Sequence, residues 1–164
     1  MDIISWTAAT LMSMYMLLGS QTSNSDFVYN AEMQDGKISA ILSYKTSDTG
    51  STLTANTKHV YEYDEQQRVI SDQTLKWNID ERQWVPEKCI EFEYDGITIA
   101  MNYRKWDKRS NSYMAPSESM VYTMMGTLVT SVEKYKKSNH TGELELADHY
   151  ILMGGGIYNT LARK

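Results

Sequence analysis

The chain of 164 residues lacks paired cysteines and an excess of positive charge. Its single cysteine, Cys89, excludes an internal disulfide framework, so strand pairing and packing have to hold the fold together. Sixteen Lys and Arg against 21 Asp and Glu give a net charge of -5, whereas nucleic-acid-binding proteins usually show a concentrated basic face. We therefore expect no nucleic-acid partner.

A hydrophobic run long enough to span a membrane is also missing. Residues 3–18 are apolar and uncharged, but a transmembrane helix needs about 20 such residues. Small and polar residues follow at 19–25, and this pattern predicts a signal peptide over residues 1–20. We expect export to the periplasm, the outer surface or the medium, with no integral membrane span after cleavage.

Two features of this N-terminal segment bear on that prediction. The start, Met1-Asp2, lacks the Lys or Arg that usually opens a signal peptide, so a buried N-terminal helix or strand is the alternative. No cysteine follows the apolar run, which excludes a lipid anchor of the usual kind.

The aromatic composition favours β-structure. The chain has 12 Tyr and 4 Trp but only 2 Phe, and Tyr and Trp suit a half-buried pleated surface because they combine an apolar body with a polar group. Helix start signals and 3.6-residue periodicity are scarce, and short β-type runs alternate with polar turns. The pattern predicts an all-β fold.

An internal repeat organises the chain from residue 26 onward. Several landmarks recur in the same order at a spacing of about 30 residues, which is typical of repeat architectures. They are Trp77 and Trp106, then Trp84 and Tyr113, each pair 29 apart, and the Tyr-Asp pairs at 63–64 and 94–95, which are 31 apart.

The turns between these landmarks predict hairpins. Asp95-Gly96 and Asp35-Gly36 are strong hairpin signals, because glycine readily takes the positive φ that a type I′ turn requires. We expect further turns at 64–67, at 78–82 and at Gly154-Gly155-Gly156. The predicted fold is an antiparallel meander of about eight long strands, built from four two-stranded repeats in one elongated, twisted sheet. Residues 21–164 form a single β-repeat domain in this prediction.

Alternation along the strands predicts two different faces. After residue 67, one face carries Val69, Ser71, Gln73, Leu75 and Trp77, and the other carries Ile70, Asp72, Thr74 and Lys76. On the next strand Ile90, Phe92 and Tyr94 share a face opposite Glu91 and Glu93. We expect one apolar and aromatic face and one mainly charged face, whose charges protect against edge-to-edge pairing.

Three segments carry a family resemblance: residues 61–69, Lys76-Trp77-Asn78 and Trp84-Val85-Pro86. Together with the opening at 26–32 and Asp35-Gly36-Lys37, they resemble a family of uncharacterised secreted proteins of Bacteroides-type gut bacteria, classed as a domain of unknown function. The resemblance covers most of residues 26–137. It implies export from a Gram-negative cell and a β-rich repeat, and it implies no activity.

A second resemblance is more local. Tyr63-Asp64 through Arg68 is similar to a single tyrosine-aspartate repeat of large bacterial surface and toxin-shell proteins. The second copy, Asp95-Gly96-Ile97, departs from that pattern because it lacks the Arg.

An aromatic platform is the main candidate binding site. Sugars present C–H faces that stack on aromatic rings, and β-surfaces often carry such rings. The alternative, which the repeat spacing favours, is that the rings form cross-strand pairs that mark each repeat. The candidates are Trp77, Trp84, Tyr103, Trp106 and Tyr113.

Catalytic and metal-binding patterns are weak. Glycosidases use paired carboxylates, so Glu91, Glu93 and Asp72 are the residues that a hydrolase would use, but alternating Glu on a solvated strand is far commoner. The histidines, at 59, 140 and 149, have no metal-site spacing. Cys89 is best interpreted as a buried thiol. We expect no catalytic residues, no metal and no cofactor.

The sequence thus favours an exported, non-enzymatic repeat module that binds a glycan or a cell-surface protein. Two alternatives remain: a hydrolase acting on polysaccharide, and a structural component of the cell envelope.

Overall fold

The computed structural model describes residues 27–47, 49–153 and 156–159, and every regular element among them is a β-strand. The first strands are β1 Phe27–Gln34, β2 Lys37–Thr46, β3 Leu53–Tyr63, β4 Val69–Asn78, β5 Gln83–Asp95 and β6 Thr98–Asp107. They are followed by β7 Ser112–Tyr113, β8 Glu118–Met125, β9 Leu128–Lys137, β10 Leu144–Met153 and β11 Gly156–Asn159. The all-β fold class is confirmed.

The strands pair antiparallel with their neighbours in the chain. In a first compact unit, which ends at Glu87, the order is β1-β2-β3-β4, followed by the start of β5. In a second unit, which begins at Lys88, the order is β5-β6-β8-β9-β10-β11, and β7 pairs with β6. The predicted meander is therefore confirmed, while the prediction of one domain over residues 21–164 stays a prediction.

The strand number differs from the expected eight, since eleven strands are present among the described residues. Part of the difference lies at residues 112–125, where β7 and β8 are separate strands. Pro116 lies between them and has no N–H to donate to a ladder, which ends regular pairing there.

Two-residue turns join several strands, as the Asp-Gly signals predict. Gln34 pairs with Lys37, and the two turn residues between them, Asp35 and Gly36, have φ of 51° and 76°. Two positive values are what a type I′ turn requires. Asp95 pairs with Thr98 around Gly96 at φ 55°. The predicted turn at Gly154-Gly155-Gly156 falls largely outside the described residues, as does the predicted signal peptide.

The turn between β3 and β4 is closed by one residue pair instead of by glycine. The Arg68 backbone N–H donates to Asp64 Oδ1 at 2.8 Å, and Arg68 Nε donates to Asp64 Oδ2 at 2.7 Å. Gln67, in between, has φ of 64°. Desolvation alone raises the pKa of Asp64, but the hydrogen bonds and positive charge of Arg68 outweigh it and hold the pKa below its usual range.

Burial corrects part of the predicted face assignment in the first unit. Val69 and Ser71 are buried on the expected face of β4, at 2% and 7% exposure. Asp72 and Thr74, on the face expected to be polar and solvated, are equally buried. Since β4 is an inner strand, side chains of its neighbours cover both of its faces, and His59 Nδ1 lies 2.8 Å from Asp72 Oδ1.

The second unit follows the predicted alternation more closely. Ile90, Phe92 and Tyr94 lie opposite the apolar residues Tyr103, Met101 and Ile99 of β6. On the other face Glu93 accepts a hydrogen bond from Asn102 Nδ2 at 2.9 Å. Within the described residues, no helix is long and apolar enough to cross a membrane.

We expect Asp64→Asn to lower the free energy of unfolding at pH 7 by about 0.5–1 kcal/mol, because it removes an ion pair that is partly exposed. A pKa that is lower in the folded state stabilises the fold above the ordinary aspartate pKa, and this stabilisation is lost as the pH falls through the folded-state pKa. Urea unfolding of wild type and variant between pH 7 and pH 2 measures the difference, which should narrow in acid.

Glu65→Gln is the matched control, since it neutralises an exposed carboxylate one residue away. It should change the free energy of unfolding by less than about 0.5 kcal/mol. A loss for Asp64→Asn that is equal at all pH values would contradict the role given to the charge.

Candidate functional site

The turn between β4 and β5 carries the first pair of candidate rings. Asn78 Oδ1 accepts hydrogen bonds from the backbone N–H groups of Asp80 and Glu81, at 3.0 and 3.2 Å. Arg82 then takes φ of 50°, which reverses the chain into β5. Trp77 and Trp84 lie on either side of this turn, with ring centroids 5.2 Å apart and planes at 67°.

The turn between β6 and β7 is built in the same way 29 residues later. Asp107 takes the place of Asn78, and its carboxylate accepts hydrogen bonds from Arg109 N–H at 3.0 Å and from the Ser110 hydroxyl at 2.9 Å. These bonds hold the pKa of Asp107 below its usual range. Asn111 takes φ of 50°, the value at Arg82. The two turns share a side-chain cap followed by a left-handed residue.

Rings of the second pair also pack edge to face. Trp106 and Tyr113 are register partners, with centroids 4.9 Å apart and planes at 76°. Aromatic quadrupoles favour this T-shaped arrangement. All four rings of the two pairs are half-buried. The geometry therefore shows that cross-strand pairing accounts for part of each ring's surface, and the rest of that surface is open to solvent.

Tyr103 does not join these pairs. It lies in β6 opposite Ile90 and Glu118, three residues before Trp106. An odd spacing along a regular strand places the two side chains on opposite faces of the sheet. Of the five candidates, the structure thus brings together Trp77 with Trp84 and Trp106 with Tyr113.

Arg104 was not among the sequence candidates, yet it fixes the position of Tyr113. Its guanidinium donates to the carbonyl oxygens of Met114 at 2.8 Å and Tyr113 at 3.2 Å, and it pairs with Glu91. The repeat gives no signal for this residue, because the position 29 residues earlier is Leu75. The second ring pair therefore has a charged support that the first one lacks at this position.

The carboxylates that a hydrolase would use are all held in polar contacts. Glu91 binds Arg104, Glu93 binds Asn102, and Asp72 binds His59. Cys89 is 2% exposed, as expected for a buried thiol. Among the residues that the structure describes, no group of three or more His, Cys, Asp or Glu is arranged to hold a metal ion.

An all-β meander whose turns carry paired aromatics is the class of protein that this fold defines. Residues 2–124 match the family model DUF3836, described as a family of unknown function, and the chain therefore belongs to this family. No curated protein matches the chain.

Three solved structures are similar to this one. A protein of unknown function from Bacteroides fragilis superposes with a TM-score of 0.69 at 22% identity, over 77% of this chain and 91% of that one. A DUF3836 protein from Bacteroides vulgatus gives 0.55 at 28%, over 62% and 100%. A DUF3836 protein from Parabacteroides distasonis gives 0.53 at 23%, over 60% and 90%.

These similarities confirm the first resemblance seen in the sequence. They agree with the all-β fold and carry no activity, because the family and the solved relatives are of unknown function. The likeness to tyrosine-aspartate repeats stays a prediction.

We expect the rings of Trp106 and Tyr113 to stabilise each other by about 0.5–1 kcal/mol. Urea unfolding of Trp106→Ala, Tyr113→Ala and the double variant measures this coupling as a double-mutant cycle. Trp106→Ala combined with Met125→Ala is the control and should be additive, since Met125 is exposed at the opposite end of the paired strands. A coupling no larger than the control's would contradict the packing role.

Proposed function

We propose that this protein is an exported, non-enzymatic β-repeat module that binds a glycan through its paired aromatics. The observation that carries this proposal is the construction of two turns on one plan, each with a half-buried aromatic pair. A turn that served only to reverse the chain would not need two large rings.

Stacking supplies the apolar part of such a contact. The rings of Trp84 and Tyr113 begin the strand that follows each turn, so they lie beside the exposed turn residues 79–83 and 108–112. C–H faces of a sugar gain from contact with an aromatic ring, as apolar surface does on leaving water. Since each pair is held edge to face, the rings are fixed in place before a ligand arrives, which reduces the entropy cost of binding.

Polar side chains near the rings supply the hydrogen bonds. The first turn exposes Asp80, Glu81 and Arg82, and the second exposes Arg109 and Asn111. Sugar hydroxyls both donate and accept, and this mixture of carboxylate, guanidinium and amide groups offers both roles. The rings contribute contact area in this proposal, and the turn residues set the orientation.

Recurrence of the plan supports a repeat with more than one binding position. The two aromatic pairs are 29 residues apart in sequence and belong to different units. Two weak positions in one chain raise the avidity for a polymeric ligand, provided that the ligand reaches both. A polysaccharide with a repeating structure is a ligand of that kind.

The first test is a glycan array probed with the protein and with the variants Trp84→Ala, Tyr113→Ala and the two combined. We expect each single variant to weaken binding roughly tenfold, because stacking on one ring is worth about 1–3 kcal/mol in comparable aromatic contacts with bases, and the combined variant to abolish binding. Circular dichroism of each variant establishes that the strands are intact.

Ile79→Ala is the matched control for this array. Ile79 is 67% exposed in the same turn as the first aromatic pair, so its loss tests whether general hydrophobic adhesion explains the signal. Binding that falls as much in Ile79→Ala as in Trp84→Ala would argue against stacking. An array without any bound glycan would overturn the glycan proposal and favour a cell-surface protein, which crosslinking at the surface identifies.

Export is tested separately in the native cell. We expect fractionation with an antibody to place the protein outside the cytoplasm, and N-terminal sequencing to begin near residue 21, because the apolar run at 3–18 has the length of a signal peptide. An intact N-terminus on protein found in the cytoplasm would contradict the proposed localisation.

A further inference from the structure

The strand β1, Phe27–Gln34, is an outer strand of the first unit, and every one of its eight residues is exposed. Its inner edge pairs with β2, and within residues 27–47, 49–153 and 156–159 no strand pairs with its outer edge. The exposed side chains are largely apolar: Phe27 at 41%, Val28 at 45%, Tyr29 at 54% and Met33 at 60% exposure. An edge of this kind presents unpaired backbone N–H and C=O groups to any extended chain.

Features that usually protect such an edge are missing from β1. The strand contains no Lys and no Pro. The register between β1 and β2 shifts once, from Glu32–Ala40 to Met33–Ile38, so the extra residue, Ser39, lies in β2 and leaves β1 regular. Its one charged side chain, Glu32, is paired with Lys58 of β3 at 2.9 Å.

We propose that β1 is an interaction surface for a second copy of this chain, and that two β1 strands pair antiparallel about a two-fold axis. The pairing would extend each first unit by one strand through backbone hydrogen bonds, in the manner of β-augmentation. A two-fold contact uses the same surface on both copies, so the strand has to be complementary to itself.

Self-complementarity follows from the sequence of the strand. An axis between Asn30 and Ala31 pairs all eight residues. It places Val28 opposite Met33, Tyr29 opposite Glu32, and Phe27 opposite Gln34. No like charges oppose each other, because Glu32 meets an uncharged residue in this register and in the neighbouring one centred on Asn30. Lys58 also neutralises Glu32 within each copy.

Disulfide trapping tests the pairing directly. Residues opposite each other in an antiparallel pair have Cα atoms about 4.5–5.5 Å apart, within the range that a disulfide spans. The variants Asn30→Cys and Ala31→Cys, oxidised separately in the purified protein, should give a covalent dimer in at least one case. The native Cys89 is 2% exposed, so it does not compete.

Asn139→Cys is the matched control, because Asn139 is an exposed asparagine in the turn between β9 and β10 and lies outside the proposed interface. It should form at least tenfold less covalent dimer than the better of the two β1 variants under the same oxidation. Equal trapping at position 139 would show random collision and would overturn the proposal.

Light scattering tests the same interface without crosslinking. The wild-type protein should have twice the mass of one chain, and Ala31→Lys should dissociate at concentrations at least tenfold higher than wild type because it sets lysines at adjacent positions of the paired strands. Thr127→Lys adds the same charge at an exposed turn and should leave the dimer intact. A wild-type protein that is monomeric at all concentrations, or a dimer that Ala31→Lys does not weaken in its folded form, would overturn the proposal.

Discussion

Backbone hydrogen bonding between strands that follow each other in the chain is the interaction on which the rest of this structure depends. Few large apolar side chains are buried among the described residues, and those that are include small ones such as Ala40, Val69 and Cys89. Hydrophobic burial scales with apolar area, so a fold with little fully buried area relies more on its ladders and on partial burial along both faces of its strands. The buried polar residues fit this account, because Ser43 and Thr57 satisfy each other across β2 and β3 through hydroxyl groups 2.6 Å apart.

The turns are where local sequence and fold meet most directly. Positive φ at Gly36, Gly96 and Gly126 reverses the chain at little steric cost, whereas Arg82 and Asn111 adopt the same conformation without glycine's freedom. At those two positions a capping side chain, Asn78 or Asp107, satisfies the turn's N–H groups. The aromatic pairs then close the turns from outside. This division of roles explains why the candidate binding rings occur at the two turns that need support.

Much of the fold could be predicted from sequence, because the signals for it are local. Asp35-Gly36 and Asp95-Gly96 mark hairpins, and period-two alternation places Ile90, Phe92 and Tyr94 on one face. The burial of Asp72 could not be predicted in this way, since alternation gives the face of a residue and not whether neighbouring strands cover it. The aromatic pairing could be predicted from the spacing of Trp77 and Trp84, whereas the support from Arg104 could not. Its contacts to the carbonyls of Tyr113 and Met114 depend on how β7 returns beside β6.

The strictly sequential order of the strands also has a kinetic consequence. Proteins fold more slowly as their contacts link residues that are farther apart in the chain, and most β-sandwiches and barrels are slow for this reason. Here each ladder joins consecutive strands, apart from the step from β6 to β8 across the short β7, so every loop that must close during folding is short. Folding can begin at any hairpin and extend in both directions, as in repeat proteins. Hairpins at the ends of this order are held by one neighbour instead of two, and they should open first when amide hydrogens exchange with solvent.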